Sequence, residues 1–379
     1  MTGREVAIGK APDVHRTGLV AAISAHPPPD FFHPGERAGV GRQPVGGNPT
    51  FSPAWWLPGP HLQTAWGRVA RRRRQVTFVR EILETPDGDE LVLDHVEGAA
   101  GSPRLIALHG LEGSSYSVYV QGFLAAAARL GWRGTALNFR SCARDPARLS
   151  RMLPNRRPRL YHSGETSDLD FVVRTLAARE PGTPLFAAGA SLGGNVLLKW
   201  LGENPGQRLV AAAAALSTPY DLAAGSRHLE TLIGGAYVRG FLNTLRPKAF
   251  EVARRFPEVA TRIDLDRMAR SRTFRDFDNV ATAPLHGFAG AEDYYARSSS
   301  LNFLARIRTP ALCLSSEDDP FLPVSVLAKA AAAASPAVTF VTTRRGGHIG
   351  FVSGAAPWRS EYPAEEGAIR WLAASRPAR

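Results

Sequence analysis

The chain has 379 residues, 46 of them basic and 34 acidic, for a net charge of +12, and only two cysteines. Two cysteines cannot build a disulfide framework, and no His/Cys cluster has the spacing of a metal site. No apolar stretch reaches the roughly 18 residues that span a bilayer, and nothing matches a nucleic-acid module although all but four of the basic residues are arginine.

Residues 1–47 are rich in Pro, Gly and charge, including Pro27-Pro28-Pro29, and are expected to be disordered. Within them Thr17 to Ala25 is too short and irregular for the apolar part of a signal peptide. Arg71-Arg72-Arg73-Arg74, with Arg68 and Arg80, stands near Trp55, Trp56 and Trp66. Its first reading is a solvated face; the alternative is a weak peripheral contact of a basic, aromatic patch with anionic lipid headgroups. Val76 to Leu83 and Glu90 to Val96 alternate like strands around the turn Pro86-Asp87-Gly88-Asp89, which predicts a hairpin. Arg104 to Leu108 reads as a central strand, Tyr119 to Leu130 as a helix and Arg133 to Phe139 as a strand. Thr166 to Ala178 has helical spacing, with Thr166 as its cap. Pro184 to Ala190 is an apolar run that passes into a helix through Gly189-Ala190-Ser191-Leu192-Gly193. Leu209 to Leu216 is a buried strand. About 90 residues without strand pattern follow, holding helix-like pieces at Ala223 to Leu245 and Pro247 to Arg255. A structureless loop of that length is improbable, so residues 218–305 are predicted to form a helical cap. Thr309 to Leu314 and Ala337 to Thr343 are further strands, and the segment from about Ala364 to Ala374 is an amphipathic helix.

The turn at Ser191 has the form of a nucleophile elbow. Side chains two places either side of the serine would clash with the backbone, and Gly189 and Gly193 remove that clash. The spacing is a weak signal by itself in a chain with 36 glycines. An acid and a histidine, each just past a buried strand, strengthen it: Ser315-Ser316-Glu317-Asp318-Asp319-Pro320 and Gly346-Gly347-His348-Ile349-Gly350. The order Ser, Asp, His is that of the α/β-hydrolases. Ser191 would attack a carbonyl carbon, His348 would take and return its proton, and a carboxylate would hold the imidazole. Asp319 is favoured for that carboxylate because it precedes Pro320 where the strand has ended; Asp318 is the alternative. The Gly-rich loop His109-Gly110-Leu111-Glu112-Gly113 follows a central strand, so the N–H groups of Leu111 and Leu192 are the expected oxyanion donors. His109 is expected to support that loop. Asn138 to Arg140, with His162 and Glu165, either line the site floor or brace two loops.

Strands alternating with helices imply an α/β fold with a mostly parallel sheet covered on both faces. From about Asn48 onward the chain carries, in order, Gly59-Pro60-His61-Leu62-Gln63-Thr64, Glu84-Thr85-Pro86-Asp87-Gly88-Asp89, His109-Gly110-Leu111-Glu112-Gly113-Ser114, Asn138-Phe139-Arg140-Ser141-Cys142 and Tyr161-His162-Ser163-Gly164-Glu165-Thr166. Phe277-Asp278, Ala283-Pro284-Leu285-His286-Gly287-Phe288, Tyr294-Tyr295, Asp318-Asp319-Pro320-Phe321 and Gly346-Gly347-His348-Ile349-Gly350-Phe351 complete the set. In these motifs the chain resembles the YheT-like branch of the α/β-hydrolases, which includes eukaryotic α/β-hydrolase-domain lipases. One departure is Ser141, where the family carries glycine, and a serine there is strained if the position needs φ > 0.

The resemblance implies an α/β-hydrolase fold over residues 48–379 and the triad Ser191, Asp319, His348. It also implies a serine hydrolase that cleaves carboxylic esters, short or medium-chain or lipid-like, through an acyl-enzyme. An acyltransferase to an alcohol, or a monoacylglycerol lipase or phospholipase, are the alternatives within the enzyme class. A non-catalytic hydrolase-fold binding protein is the reading from another class, disfavoured because every catalytic part is kept. No cofactor or metal is expected, and the expected partner is a small-molecule or lipid ester with no nucleic acid. Two free thiols, Cys142 and Cys313, fit the cytoplasm.

Overall fold

The short apolar runs of the sequence become adjacent strands of one sheet in the computed structural model, which describes residues 32, 51–71, 75–231 and 235–375. The disorder expected over 1–47 lies outside the described residues, apart from Phe32, and so do the arginines at 72–74. Phe32 is buried, its ring 5.2 Å from that of Phe51.

A helix α1 (Pro60–Ala70) precedes the hairpin of β1 (Val79–Glu84) and β2 (Glu90–Val96). Next come β3 (Arg104–Leu108), α2 (Val118–Arg129), β4 (Arg133–Asn138), α3 (Ser167–Arg179), β5 (Leu185–Ala190), α4 (Leu192–Glu203) and β6 (Val210–Leu216). A helical insertion follows: α5 (Leu222–Thr231), α6 (Ala236–Arg255), the short α7 (Pro257–Ala260), α8 (Leu265–Arg270) and α9 (Phe274–Phe277), a π-helical turn over Asp278–Thr282, α10 (Ala283–His286) and α11 (Ala291–Ser298). The chain closes with β7 (Ala311–Ser316), α12 (Val324–Ala333), β8 (Val338–Thr343) and α13 (Pro363–Ala374).

The eight strands are ordered β1-β2-β4-β3-β5-β6-β7-β8. β1 and β2 run antiparallel to their neighbours, and every pairing from β4 through β8 is parallel. β5 and β6 are rich in alanine, a weak strand former; burial on both faces overrides that preference. Alternation along β3 divides the core. Ile106 and Leu108 face the cluster completed by α3, α4 and α12, whereas Leu105 and Ala107 face the cluster completed by α2 and α13. The insertion has its own apolar cluster, centred on Val238, Leu242, Val252, Met268 and Phe277.

The piece Ala223 to Leu245, read as one helix, is divided between α5, which ends at Thr231, and α6, which starts at Ala236 after Gly235 at φ 74°; the sequence reading differs from the structure in three further places. Helix α6 runs through Pro247, where a break was expected. An interior proline costs about 3 kcal/mol, but Leu242 before it and Ala249 and Val252 after it are buried in one cluster, and that packing holds the helix together. Thr166 does not cap α3: its hydroxyl donates to Glu203, 2.6 Å away, while Glu165 accepts from the Ser167 amide at 2.9 Å. Helices α1 and α12 were not anticipated: each is short, α1 buries the polar Gln63, and α12 leaves the apolar Val324 exposed.

Candidate active site

Ser191 stands alone between the last residue of β5 and the first of α4, at φ 53° and ψ −123°. A non-glycine residue held there stores about 1–3 kcal/mol of strain, so its surroundings must fix it. Its N–H donates to the Leu216 carbonyl at 2.8 Å, and its own carbonyl accepts from the Asn195 amide at 3.1 Å. Two glycines let the turn close. A Cβ on Gly189 would overlap the Gly193 carbonyl, and one on Gly193 would lie 2.6 Å from the His109 carbonyl oxygen.

His348 Nε2 lies 3.0 Å from the Ser191 hydroxyl. Its Nδ1 lies 2.8 Å and 3.1 Å from the two carboxylate oxygens of Asp319. One of those oxygens also accepts the Phe321 amide at 2.8 Å, and the carboxylate is buried. Asp318, one residue earlier, accepts the Gly347 amide at 2.9 Å. Of the two adjacent acids, Asp319 therefore sits on the imidazole and Asp318 on the backbone of the histidine loop. An imidazole whose Nδ1 faces a carboxylate donates there, which leaves Nε2 as the acceptor towards the serine. The Phe321 ring stacks on His348 with centroids 4.2 Å apart, and the Thr64 hydroxyl accepts the His348 amide at 2.9 Å. Phe321 and Thr64 were missed by sequence reasoning as ring-positioning residues, although each lies in a motif that it singled out.

Leu111 and Leu192 both line the cavity next to Ser191. Leu192 opens α4, whose first amides have no carbonyl four residues back within the helix. On either side of Leu111 the amides are occupied: Gly110 N–H donates to the Tyr119 hydroxyl at 2.8 Å and Glu112 N–H to that of Tyr161 at 2.6 Å. These tyrosines were another omission from the sequence reading, which quoted Tyr161 within a motif and Tyr119 at the start of a helix but gave neither hydroxyl a role in gripping the loop. Glu112 has φ 58°, and its carboxylate receives the Tyr161 hydroxyl at 2.9 Å and the Lys248 ammonium of α6 at 2.5 Å. Burial alone would raise the Glu112 pKa; the Lys248 ammonium and the hydrogen bonds more than offset it and hold the carboxyl below its usual value.

His109 supports the loop. Its Nδ1 donates to the Gly110 carbonyl at 2.7 Å and its Nε2 accepts the Phe139 amide at 3.1 Å, and burial pushes its pKa down to about 4. Asn138 and Arg140 brace loops. Asn138 bonds Val92, Asp94 and the Ser115 amide, and Arg140 bonds Asp87, Asp89 and Asp168. Glu165 pairs with Arg159, whereas His162 does line the cavity, its pKa lowered by burial to about 4. Ser141 has φ 59°, so the left-handed position is real and its occupant is strained. Both cysteines are buried free thiols, with burial raising Cys142 to about 11 and Cys313 to about 12.

In front of Ser191 and His348 lies a cavity of about 710 Å³. Its apolar wall comes mainly from the insertion, through Leu229, Tyr237, Phe241, Leu245, Phe274 and Phe277. One buried carboxylate interrupts it: Asp278, bonded to the Tyr295 hydroxyl at 2.7 Å and the Thr282 hydroxyl at 2.6 Å, with its pKa raised by burial to about 6.

Residues 103–355 match a family model described as alpha/beta hydrolase fold, and the chain belongs to that family. Within it the chain is YheT-like. It is 38% identical over 297 residues to the Escherichia coli (strain K12) protein named "Putative esterase YheT", a match covering 78% of this chain and 84% of that protein. "Phospholipase ABHD3" of Mus musculus is 29% identical over 321 residues, covering 83% of this chain and 76% of that one. "Monoacylglycerol lipase" of Saccharomyces cerevisiae is 29% identical over 282 residues, covering 70% and 58%. Among the described residues no helix is long and apolar enough to cross a membrane.

Proposed function

We propose that the protein is a serine hydrolase of carboxylic esters whose substrates carry a lipid-like acyl chain, with Ser191 as nucleophile, His348 as base and acid, and Asp319 as the orienting carboxylate. The observation that carries this reading is the continuous relay at the cavity wall, 3.0 Å from serine hydroxyl to imidazole and 2.8 Å from imidazole to carboxylate. Ser191 Oγ attacks the ester carbonyl carbon as its proton passes to His348 Nε2. The amides of Leu111 and Leu192 are the proposed donors to the oxyanion, usually the largest single contribution in such catalysis. Collapse breaks the ester C–O bond, and the alcohol leaves with the proton from His348. Water, deprotonated by the same nitrogen, attacks the acyl-enzyme; the acid leaves and Ser191 is reprotonated. The size of the cavity and its aromatic and aliphatic wall favour a long acyl or lipid-like group over a short one. Relatives named as a phospholipase and a monoacylglycerol lipase agree with that choice.

Chromogenic esters of rising acyl length test this reading. The wild type should hydrolyse them, with a preference above the shortest acyl groups, and Ser191→Ala should lose on the order of 10⁵–10⁶ in kcat. A folded wild type inactive on every length, or a mutant as active as the wild type, would overturn it.

A further inference from the structure

Large exposed apolar side chains occur singly over most of the surface, as at Leu130, Phe250 and Val324, and single ones need no explanation. Around α1 they gather. Trp55 is 81% exposed, Val69 82%, Trp358 83% and Leu62 50%. Leu62, Ala65 and Val69 share one face of the helix by their spacing, and all three are exposed. This face is held in place. The Gln63 side chain on the opposite face bonds both the amide and the carbonyl of Val352, at 2.7 and 3.1 Å, which locks α1 to the segment leading to Trp358. Trp56 and Trp66 meet edge to face, their ring centroids 4.9 Å apart.

The indole of Trp55 adds a second observation. Its one polar atom, Nε1, donates to the Ala355 carbonyl at 3.1 Å. The exposed remainder is hydrocarbon, tethered through this bond to the segment before Trp358. A rigid apolar ring with no use for water is what an interfacial anchor presents.

Charge surrounds the face. Arg68 of α1 is exposed, as are Arg359 beside Trp358 and Arg344 and Arg345. The latter two precede Gly347, whose backbone abuts the first turn of α1. Glu361 is the acidic side chain on the Trp358 loop. The helix also borders the cavity: Thr64, Ala65, Gly67, Arg68 and Arg71 line it. Ala65 thus belongs both to the exposed stripe and to the cavity lining.

We propose that this face, Trp55, Trp358 and the outer stripe of α1 with its arginine fringe, docks the protein onto an anionic lipid surface and turns the cavity mouth towards the lipid. Docking itself does not depend on the esterase reading; only the direct passage of substrate from lipid to cavity rests on it.

Co-sedimentation of the full chain with phosphatidylcholine vesicles, with and without one part in three of phosphatidylglycerol, tests the docking. The wild type should bind the anionic vesicles and release them at high salt. Trp55→Ser/Val69→Ser/Trp358→Ser should weaken binding at least tenfold while leaving hydrolysis of a water-soluble ester unchanged. Arg344→Gln/Arg345→Gln should weaken it roughly fivefold per arginine. The proposal is overturned if the wild type binds neither vesicle, binds both equally, or binds as well after the triple substitution. It is equally overturned if the wild type is a dimer that ignores vesicles and that the triple substitution separates, because a second copy would then cover the face. A wild type that binds the anionic vesicles but hydrolyses no soluble ester would count against the esterase reading and leave the docking standing.

Discussion

Lys248→Met is the perturbation that discriminates most sharply, because one buried contact joins the insertion to the loop that carries Leu111. The Lys248 and Glu112 side chains are 6% and 7% exposed. Removing one partner of such a pair leaves a buried charge and costs about 3–5 kcal/mol. At about 2 °C per kcal/mol in a chain of this size, that is a fall of roughly 6–10 °C in Tm. The pH dependence reverses sign. In the wild type the Glu112 pKa is held below its ordinary value of 4.5, so the pair contributes stability above that value and loses it as pH falls. Without Lys248, burial dominates and the Glu112 pKa rises above 4.5. The deficit of the mutant is then largest at alkaline pH and shrinks as Glu112 takes up a proton on acidification. Lys248→Met/Glu112→Gln removes both charges and keeps a group for the Tyr161 hydroxyl, so it should recover at least half of the lost stability.

Activity supplies an independent readout. Glu112, at φ 58°, directly follows Leu111, whose amide is proposed as an oxyanion donor. Relaxation of the backbone there should lower kcat with little change in KM, by up to the 10²–10³ of a lost oxyanion donor. Calorimetry from pH 5 to 9, with kcat and KM on a soluble ester measured well below Tm, checks all four expectations. A Tm for Lys248→Met within about 2 °C of wild type, or a double mutant no more stable than the single, would refute the reasoning.

Asp319→Asn should cost about 10⁴ in kcat by presenting the wrong imidazole tautomer, whereas Asp318→Asn, which touches only the Gly347 amide, should cost far less; the reverse order in a kcat comparison would exchange their roles. Burial holds His109, His162 and His286 neutral, with pKa values of about 4, 4 and 3, against about 6.5 in the unfolded chain. Each lowered histidine removes up to about 1.4 kcal/mol of stability per pH unit below 6.5. Asp278, raised to about 6, works in the opposite sense by taking its proton in the fold first. Stability should then fall between pH 6 and 4.5 with a slope of about two protons, read from urea midpoints, and a midpoint constant down to pH 5 would sink this account.

Much of the fold was legible because each chemical group follows a strand. Ser191, Asp319 and His348 come just after apolar or β-branched runs, and buried parallel strands announce themselves by such runs. The Gly189 and Gly193 positions were legible for a steric reason that the backbone carbonyls of Gly193 and His109 now make concrete. The interruption at Pro247 was misread because local propensity says nothing of the buried residues on both sides of it. Lys248, Tyr119 and Tyr161 were silent for a related reason. A lysine in an amphipathic helix reads as solvent-facing, and only the packing of α6 against the loop after β3 turns it inward onto Glu112.

That difference follows the division of labour in the molecule. The groups proposed to do chemistry sit on loops at the ends of a rigid sheet, where residue type and order are constrained by the reaction. The groups that shape the cavity come from the insertion, where any side chains of suitable volume fill the same space, so the wall carries no ligand code. The Lys248–Glu112 pair is a point at which the second set touches the first. A displacement of α6 large enough to open the cavity would strip the ammonium from a buried carboxylate beside Leu111. If Leu111 supplies the oxyanion donor proposed above, this contact ties the position of α6 to that amide, and substrates that hold α6 in place should be turned over faster for a reason separate from how tightly they bind.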